Sequence, residues 1–169
     1  MLTQHIDHDV ELRLLQEDDA ESAAAVTDEV SPDETGRWIR GLLDLYRAGK
    51  EVPCAVCVAG EMAGYVLLEI HERGEGLRHY GLLPAYRGRG IATRACAALI
   101  EHAFTELGLS ALKVDPPTAN DRSCRVAERL GFVNVGIVQV PTERGQVSEV
   151  ARYRLTAGQW YNSTKAPKG

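Results

Sequence analysis

Apolar and polar positions alternate over Val10-Glu11-Leu12-Arg13-Leu14, the period of a half-buried strand. From Asp18 and Asp19 an alanine-rich run predicts a helix to about Val30. A second helix start is read in Ser31-Pro32-Asp33-Glu34, with Ser31 as N-cap, Pro32 in the first position and Glu34 closing a capping box. Trp38, Leu42, Leu45 and Tyr46 form its apolar stripe, and Gly49 can stop it. Residues 52–59 and 62–70 read as two strands joined by a tight Gly60-Glu61 turn. The polar stretch 71–76, with two glycines, predicts another turn before a strand over 77–83. A long helical pattern then covers 90–107, with Gly108 just beyond its end. Residues 111–114 form a short strand broken by Pro116-Pro117, and 120–130 another helix stopped by Gly131. Two last strands are expected over 132–140 and 148–155.

This order, β-α-α-β-β-β-α-β-α-β-β, predicts an α/β (α+β) domain: a mixed, largely antiparallel twisted sheet of about seven strands with flanking helices. One domain is expected over 1–162, followed by a flexible polar tail over 163–169.

The chain has 169 residues, 44% of them hydrophobic, which suits one domain with a proper core. Its formal net charge of −5 argues against nucleic acid as the main partner. No stretch approaches the roughly 20 apolar residues that span a bilayer. The first residues, MLTQHIDHDVEL, carry acids and histidines where a secretory leader has a basic region and an apolar run, so a cytoplasmic protein is expected. Cys54 and Cys57 form a C-x-x-C, but in a strand they point to opposite faces, and no second Cys/His pair stands at zinc spacing. Inert buried thiols are expected, and no metal.

The chemistry concentrates in Leu82 to Ala92, LLPAYRGRGIA, where a strand ends in a glycine-rich basic turn that opens a helix. Free N–H groups of a first helical turn, with the positive end of the helix dipole, hold anions such as phosphate. Glycine at 88 and 90 permits positive φ and close approach of a ligand to the backbone. Arg87, Arg89 and Arg94 add charge suited to one anionic ligand.

Arg87, Gly90 and Ala92 match the Q/R-x-x-G-x-G/A signature of the GCN5-related N-acetyltransferase family, which the chain resembles over about residues 10–160. Asn120-Asp121-Arg122-Ser123 with Arg125 to Phe132 resembles the family's second coenzyme segment, and VELRLLQEDD its opening strand and helix start. YGLLPAYRGRGIAT and N-x-x-S-x-R-V-A-E are most similar to the Rim-type branch, which acetylates N-termini of ribosomal proteins. The resemblance implies acetyl-CoA as co-substrate. Its pyrophosphate would lie on Arg87, Gly88, Arg89, Gly90, Ile91, Ala92 and Thr93, and its pantetheine beside Leu82 and Leu83. A backbone N–H near Leu82 would polarise the acetyl carbonyl.

The family's usual acid, a tyrosine seven residues past the asparagine, is replaced here by Ala127. The resemblance offers Ser123 instead, although a serine near a helix start also serves as a cap. Asn120 would fix the coenzyme arm, cap the helix, or both. For the base, Glu143 in the turn between the last two strands would act through water. Glu69 and His79 are further candidates, and Cys124 lacks a visible histidine partner. Acceptor choice would lie with the first two helices and the 141–147 turn, where Glu29, Asp33 and Glu34 are either attractive to a cationic amine or simply helix-start acids.

Three functions remain: N-acetylation of a protein or peptide N-terminus, acetylation of a small amine such as a polyamine, amino sugar or antibiotic, and a non-catalytic acyl-CoA-binding sensor. The expected partners are acetyl-CoA and an amine-bearing peptide, protein or small molecule. A homodimer is left open, and neither nucleic acid nor membrane is expected.

Overall fold

The computed structural model describes residues 3–27, 31–70, 75–142 and 144–165. Eight strands form one sheet in the order β1-β2-β3-β4-β5-β6-β8-β7. They are β1 Thr3–His5, β2 Val10–Leu14, β3 Glu51–Val58, β4 Glu61–Ile70, β5 Glu75–Leu82, β6 Ala111–Val114, β7 Val133–Pro141 and β8 Val147–Thr156. Neighbours are antiparallel except β5 and β6, which run parallel. The helices are α1 Ala20–Thr27, α2 Pro32–Arg47, α3 Ile91–Thr105, α4 Asp121–Arg129 and α5 Ala157–Lys165.

Alternating side chains send β3 into two cores. Val52, Cys54, Val56 and Val58 join α3, α4 and α5 on one face, while Ala55 and Cys57 join Ala23, Ile39 and Leu42 of α1 and α2 on the other. Cys54 and Cys57 therefore lie on opposite sides of the sheet, and burial pushes the Cys54 thiol up to about 12. Leu99 and Ile100 of α3 are fully buried, each contributing about 1.5–3 kcal/mol. The two face helices are fixed at their entrances by local chemistry. Ser31 and Glu34 form the reciprocal box at α2, and Arg13 of β2 grips Asp19 with two 2.8 Å bonds just before α1.

Two elements differ from the sequence reading. The sheet gains β1, a three-residue edge strand too short to show a period; Asp7 closes its turn by accepting from the N–H groups of Asp9 and Val10. At the other end α5 runs to Lys165, three residues into the stretch read as a polar tail. Its start carries a capping box: Gln159 N–H donates to Thr156 Oγ1 and Thr156 N–H to Gln159 Oε1. Trp160 then drops into the core and donates its indole N–H to the Glu101 carboxylate. The helix expected to reach Val30 is a 3-10 turn, Glu17–Asp19, followed by α1; residues 28–30 lie outside the described residues. The turn expected over 71–76 lies outside them up to 74, and β5 already begins at Glu75. Among the described residues no helix is long and apolar enough to cross a membrane.

The site is set by how β5 and β6 part. β5 pairs with β4 as far as Leu82, but with β6 only over Glu75–Leu77. Beyond Val114 the prolines cannot donate to a ladder. The chain is instead drawn to β8, where Ala151 N–H donates to the Pro116 carbonyl at 2.9 Å and Thr118 N–H to the Glu149 carbonyl at 3.1 Å. The second half of β5 is left with a partner on one side and an opening on the other.

Candidate active site

A cavity of about 590 Å³ occupies that opening on the α3/α4 face. Tyr80, Gly81 and Leu82 of β5 form one wall, Arg87, Gly88 and Gly90 the turn, Ile91, Ala92 and Thr93 the first turn of α3, and Asn120 with the start of α4 the other wall. Leu83 N–H donates to the Ala63 carbonyl at 2.8 Å, so Leu82, one residue earlier, directs its N–H and C=O away from β4. The Leu82 carbonyl accepts from Arg87 Nε at 3.1 Å, and its N–H is presented to the open side.

The turn leaves backbone amides free at the start of α3. Gly88 and Gly90 have φ of +75° and +71°, and no atom lies within 4 Å of where a Cβ would stand on either. Gly90 is the N-cap of α3, whose ladder starts with Arg94 N–H to the Gly90 carbonyl; the amides of Ile91, Ala92 and Thr93 precede it. The arginines divide their work. Arg87 lines the cavity, whereas the Arg89 guanidinium packs 5.8 Å from the Tyr86 ring centre. Arg94 turns away to pair with Asp7 and to donate to the Arg89 carbonyl. Leu83 and Arg89 are thus the two coenzyme candidates that do not line the cavity.

Three cavity arginines lie in the stretch that resembles the second coenzyme segment but were not among the expected site residues. Arg122, Arg125 and Arg129 project from α4, and with Arg87 they make a wall of four cations with no acidic residue among the described lining residues. Their i, i+3, i+7 spacing, a single helix face, was the signal available.

The α4 start brings Asn120, Ser123 and Tyr80 together. Asn120 Oδ1 caps the helix by accepting Ser123 N–H at 3.1 Å. The Ser123 hydroxyl is engaged otherwise: its Oγ accepts from the Tyr80 hydroxyl at 3.0 Å. Tyr80 opens the stretch YGLLPAYRGRGIAT, but nothing in the sequence assigned it a part in the site. Ala127 is buried among the α3/α4 core residues.

The base candidates are dispersed. Glu69 faces Leu77 across β4 and β5, about 17 Å along the strand from Leu82. Alternation puts it on the α1/α2 face, opposite to the Tyr80 side chain. There it stands in register with Glu51, whose carboxyl is pushed up to about 6, first by burial and then by the Glu69 charge. Glu143 and Glu29 lie outside the described residues, and of His79 only the backbone is described, in register with Leu67. Cys124 Sγ lies 3.9 Å from the Pro117 carbonyl and does not line the cavity.

On the face opposite the cavity, Tyr65 stands in register with Gly81, and Trp38 of α2 meets its ring edge-on at 5.3 Å. A Cβ on Gly81 would come within 2.9 Å of Val26 of α1, so the glycine lets the helix approach the strand. Glu34 is held below the usual carboxylate range by the Ser31 N–H and hydroxyl, which accounts for it as a helix-start acid.

Comparison with known proteins agrees with this geometry. YdaF of Bacillus subtilis (strain 168), a candidate ribosomal N-acetyltransferase, is 26% identical over 157 residues, covering 80% of this chain and 84% of YdaF. RimL, a ribosomal L7/L12 alpha-N-protein acetyltransferase, superposes with a TM-score of 0.83 at 20% identity, over 92% of this chain and 94% of RimL. The microcin C7 self-immunity acetyltransferase MccE, solved with acetyl-CoA and AMP, superposes with a TM-score of 0.81 at 18% identity, over 89% of this chain and 94% of that one. These two structures show the shared fold. Residues 2–133 match the acetyltransferase (GNAT) domain family, well over half of the chain, and the protein belongs to that family of acetyltransferases.

Proposed function

We propose that this acetyltransferase moves the acetyl group of acetyl-CoA to the α-amino group of a protein or peptide. The observation that carries the donor half is the continuous cavity joining the open edge of β5, the turn at 87–93 and Ser123. Its chemistry fits an acyl-coenzyme A: helix-start amides and four arginines suit phosphates, and a strand edge suits an amide-bearing arm. MccE was solved with acetyl-CoA on the same fold. The acceptor half is supported by RimL and YdaF, whose names refer to ribosomal-protein acetylation.

Bound acetyl-CoA would supply a thioester open to direct attack by a neutral amine. The amides of Ile91, Ala92 and Thr93 would hold its pyrophosphate, with Arg87 and the α4 arginines balancing the remaining phosphate charge. Leu82 N–H would stabilise the oxygen that gains charge during attack. Ser123 would give its proton to the leaving sulfur. Glu143 is proposed as the base that takes the amine's proton through water, since Glu69 stands about 17 Å along the strand from Leu82 and on the other face of the sheet. Orientation of the two reactants supplies the rest of the rate.

A second reading, acetylation of a small amine, is favoured by the Trp38–Tyr65 pair, since aromatic faces attract cations. Coenzyme A release over a panel of free and blocked N-terminal peptides, polyamines and amino-sugar antibiotics separates the two. The proposal expects turnover with free N-terminal peptides alone. Turnover only with small amines overturns the acceptor, and failure to bind acetyl-CoA by calorimetry overturns the donor.

A further inference from the structure

Position 127, where the wider family places its acidic tyrosine, holds a buried alanine, yet a tyrosine still reaches the site from another element. Tyr80 projects from β5 to the start of α4 and donates to Ser123 Oγ at 3.0 Å. The bonds around Ser123 give this contact a direction. Its N–H belongs to Asn120 Oδ1, so the hydroxyl does not cap the helix. Its Oγ is the acceptor for Tyr80, so its own hydrogen must point elsewhere. Tyr80 and Ser123 both line the cavity, so that hydrogen is within reach of a group bound there.

We propose that Tyr80 is a positioning residue for departure of the thiol: it donates to Ser123 Oγ, so that the two hydroxyls together deliver the proton the sulfur takes up. The proposal rests on the acetyl transfer proposed above. As the amine nitrogen bonds to the acetyl carbon, the carbon–sulfur bond breaks and its electron pair stays on sulfur. Sulfur takes the Oγ–H proton of Ser123, and Oγ takes the phenolic proton of Tyr80. Solvent reprotonates the phenolate, and the proton lost by the amine leaves to solvent through the base, so protons balance and nothing is oxidised.

The acidities favour the pair over the serine alone. An alkyl hydroxyl is a far weaker acid than a thiol, whereas an ordinary phenol titrates near 10, close to a thiol near 8.5. Proton transfer is most efficient when donor and acceptor are matched in this way.

The test is a double-mutant cycle read in kcat and in KM for acetyl-CoA. Tyr80→Phe and Ser123→Ala should each lower kcat about 100-fold with little change in KM, and the double variant should be no slower than Ser123→Ala. Wild-type kcat in Tyr80→Phe, losses that multiply in the double variant, or a loss confined to KM would each overturn the proposal while acetyl transfer stands. A wild-type protein that releases coenzyme A with no amine overturns the underlying reading instead. A second measurement needs neither turnover nor the phenylalanine variant. With 3-fluorotyrosine at position 80, the ligand-free protein should shift its fluorine resonance when Ser123→Ala removes the acceptor, and an unmoved resonance overturns the contact.

Discussion

Arg87 Nε donates to the Leu82 carbonyl at 3.1 Å, so the first residue of the glycine-rich turn is fastened to the strand edge that precedes it. One side chain thereby fixes the spacing between the open strand edge and the glycine-rich turn. Lysine has no second nitrogen with which to hold a carbonyl and face a phosphate together. Arg87→Lys should therefore weaken acetyl-CoA binding about as much as Arg87→Ala, by roughly 10-fold for a lost charge-assisted bond. Calorimetric titration checks this; a lysine variant with wild-type affinity would show that charge alone matters there.

Gly90 separates backbone strain from ligand exclusion. Since nothing stands within 4 Å of its missing Cβ, a side chain meets only the cost of φ +71°. Gly90→Ala should lower stability by about 1–2 kcal/mol. That corresponds to a fall in Tm of roughly 2–8 °C. Gly90→Val should lower stability further, since a branched residue resists positive φ, and should also abolish acetyl-CoA binding by occupying the space above the α3 amides. Binding of wild-type strength in the valine variant would remove the anion site from this turn.

Glu51 should make the protein less stable as pH rises. Its Oε2 is buried and has no hydrogen-bond partner among the described residues, and its folded pKa near 6 exceeds the ordinary 4.5. The folded state therefore holds a proton that the unfolded chain releases first, and the benefit, complete below 4.5, disappears as pH passes 6. Glu51→Gln should raise Tm at pH 7.5 and flatten the Tm profile between 4.5 and 6. Thermal melts across that window decide it, and an unchanged profile would show that Glu51 is solvated.

The last helix should be part of the cooperative core. Trp160 is 7% exposed and reaches Glu101 on α3. Trp160→Ala should cost about 3–5 kcal/mol by urea denaturation. Thr156→Ala, which removes only the cap, should cost about 1 kcal/mol. Equal losses in the two variants would show that the helix is held by its start and not by the tryptophan.

Much of the fold was legible because its signals are local. The box at Ser31 and Glu34, the alternation over Val10–Leu14 and the glycines beyond α3 and α4 each act within a few residues. The box at Thr156 and Gln159 was equally local, yet the polar residues around it hid a helix that buries Trp160 and packs Ala157 and Tyr161 beside it. The glycine-rich turn was legible for the same reason, since strand end, glycines and helix start are contiguous.

By itself the sequence determined most of the elements, the glycine-rich turn that opens α3 and the asparagine at the start of α4, all of which depend on neighbours in the chain. The tertiary structure alone decided that β5 and β6 part beyond Leu77, because proline stops one ladder and β8 draws the chain aside. It decided that three α4 arginines face the same cavity as Arg87, and that Glu69 stands on the other side of the sheet from Tyr80. It also joined Tyr80 to Ser123, 43 residues apart. Periodicity fixes which face of an element a side chain takes, but only packing fixes what that face meets.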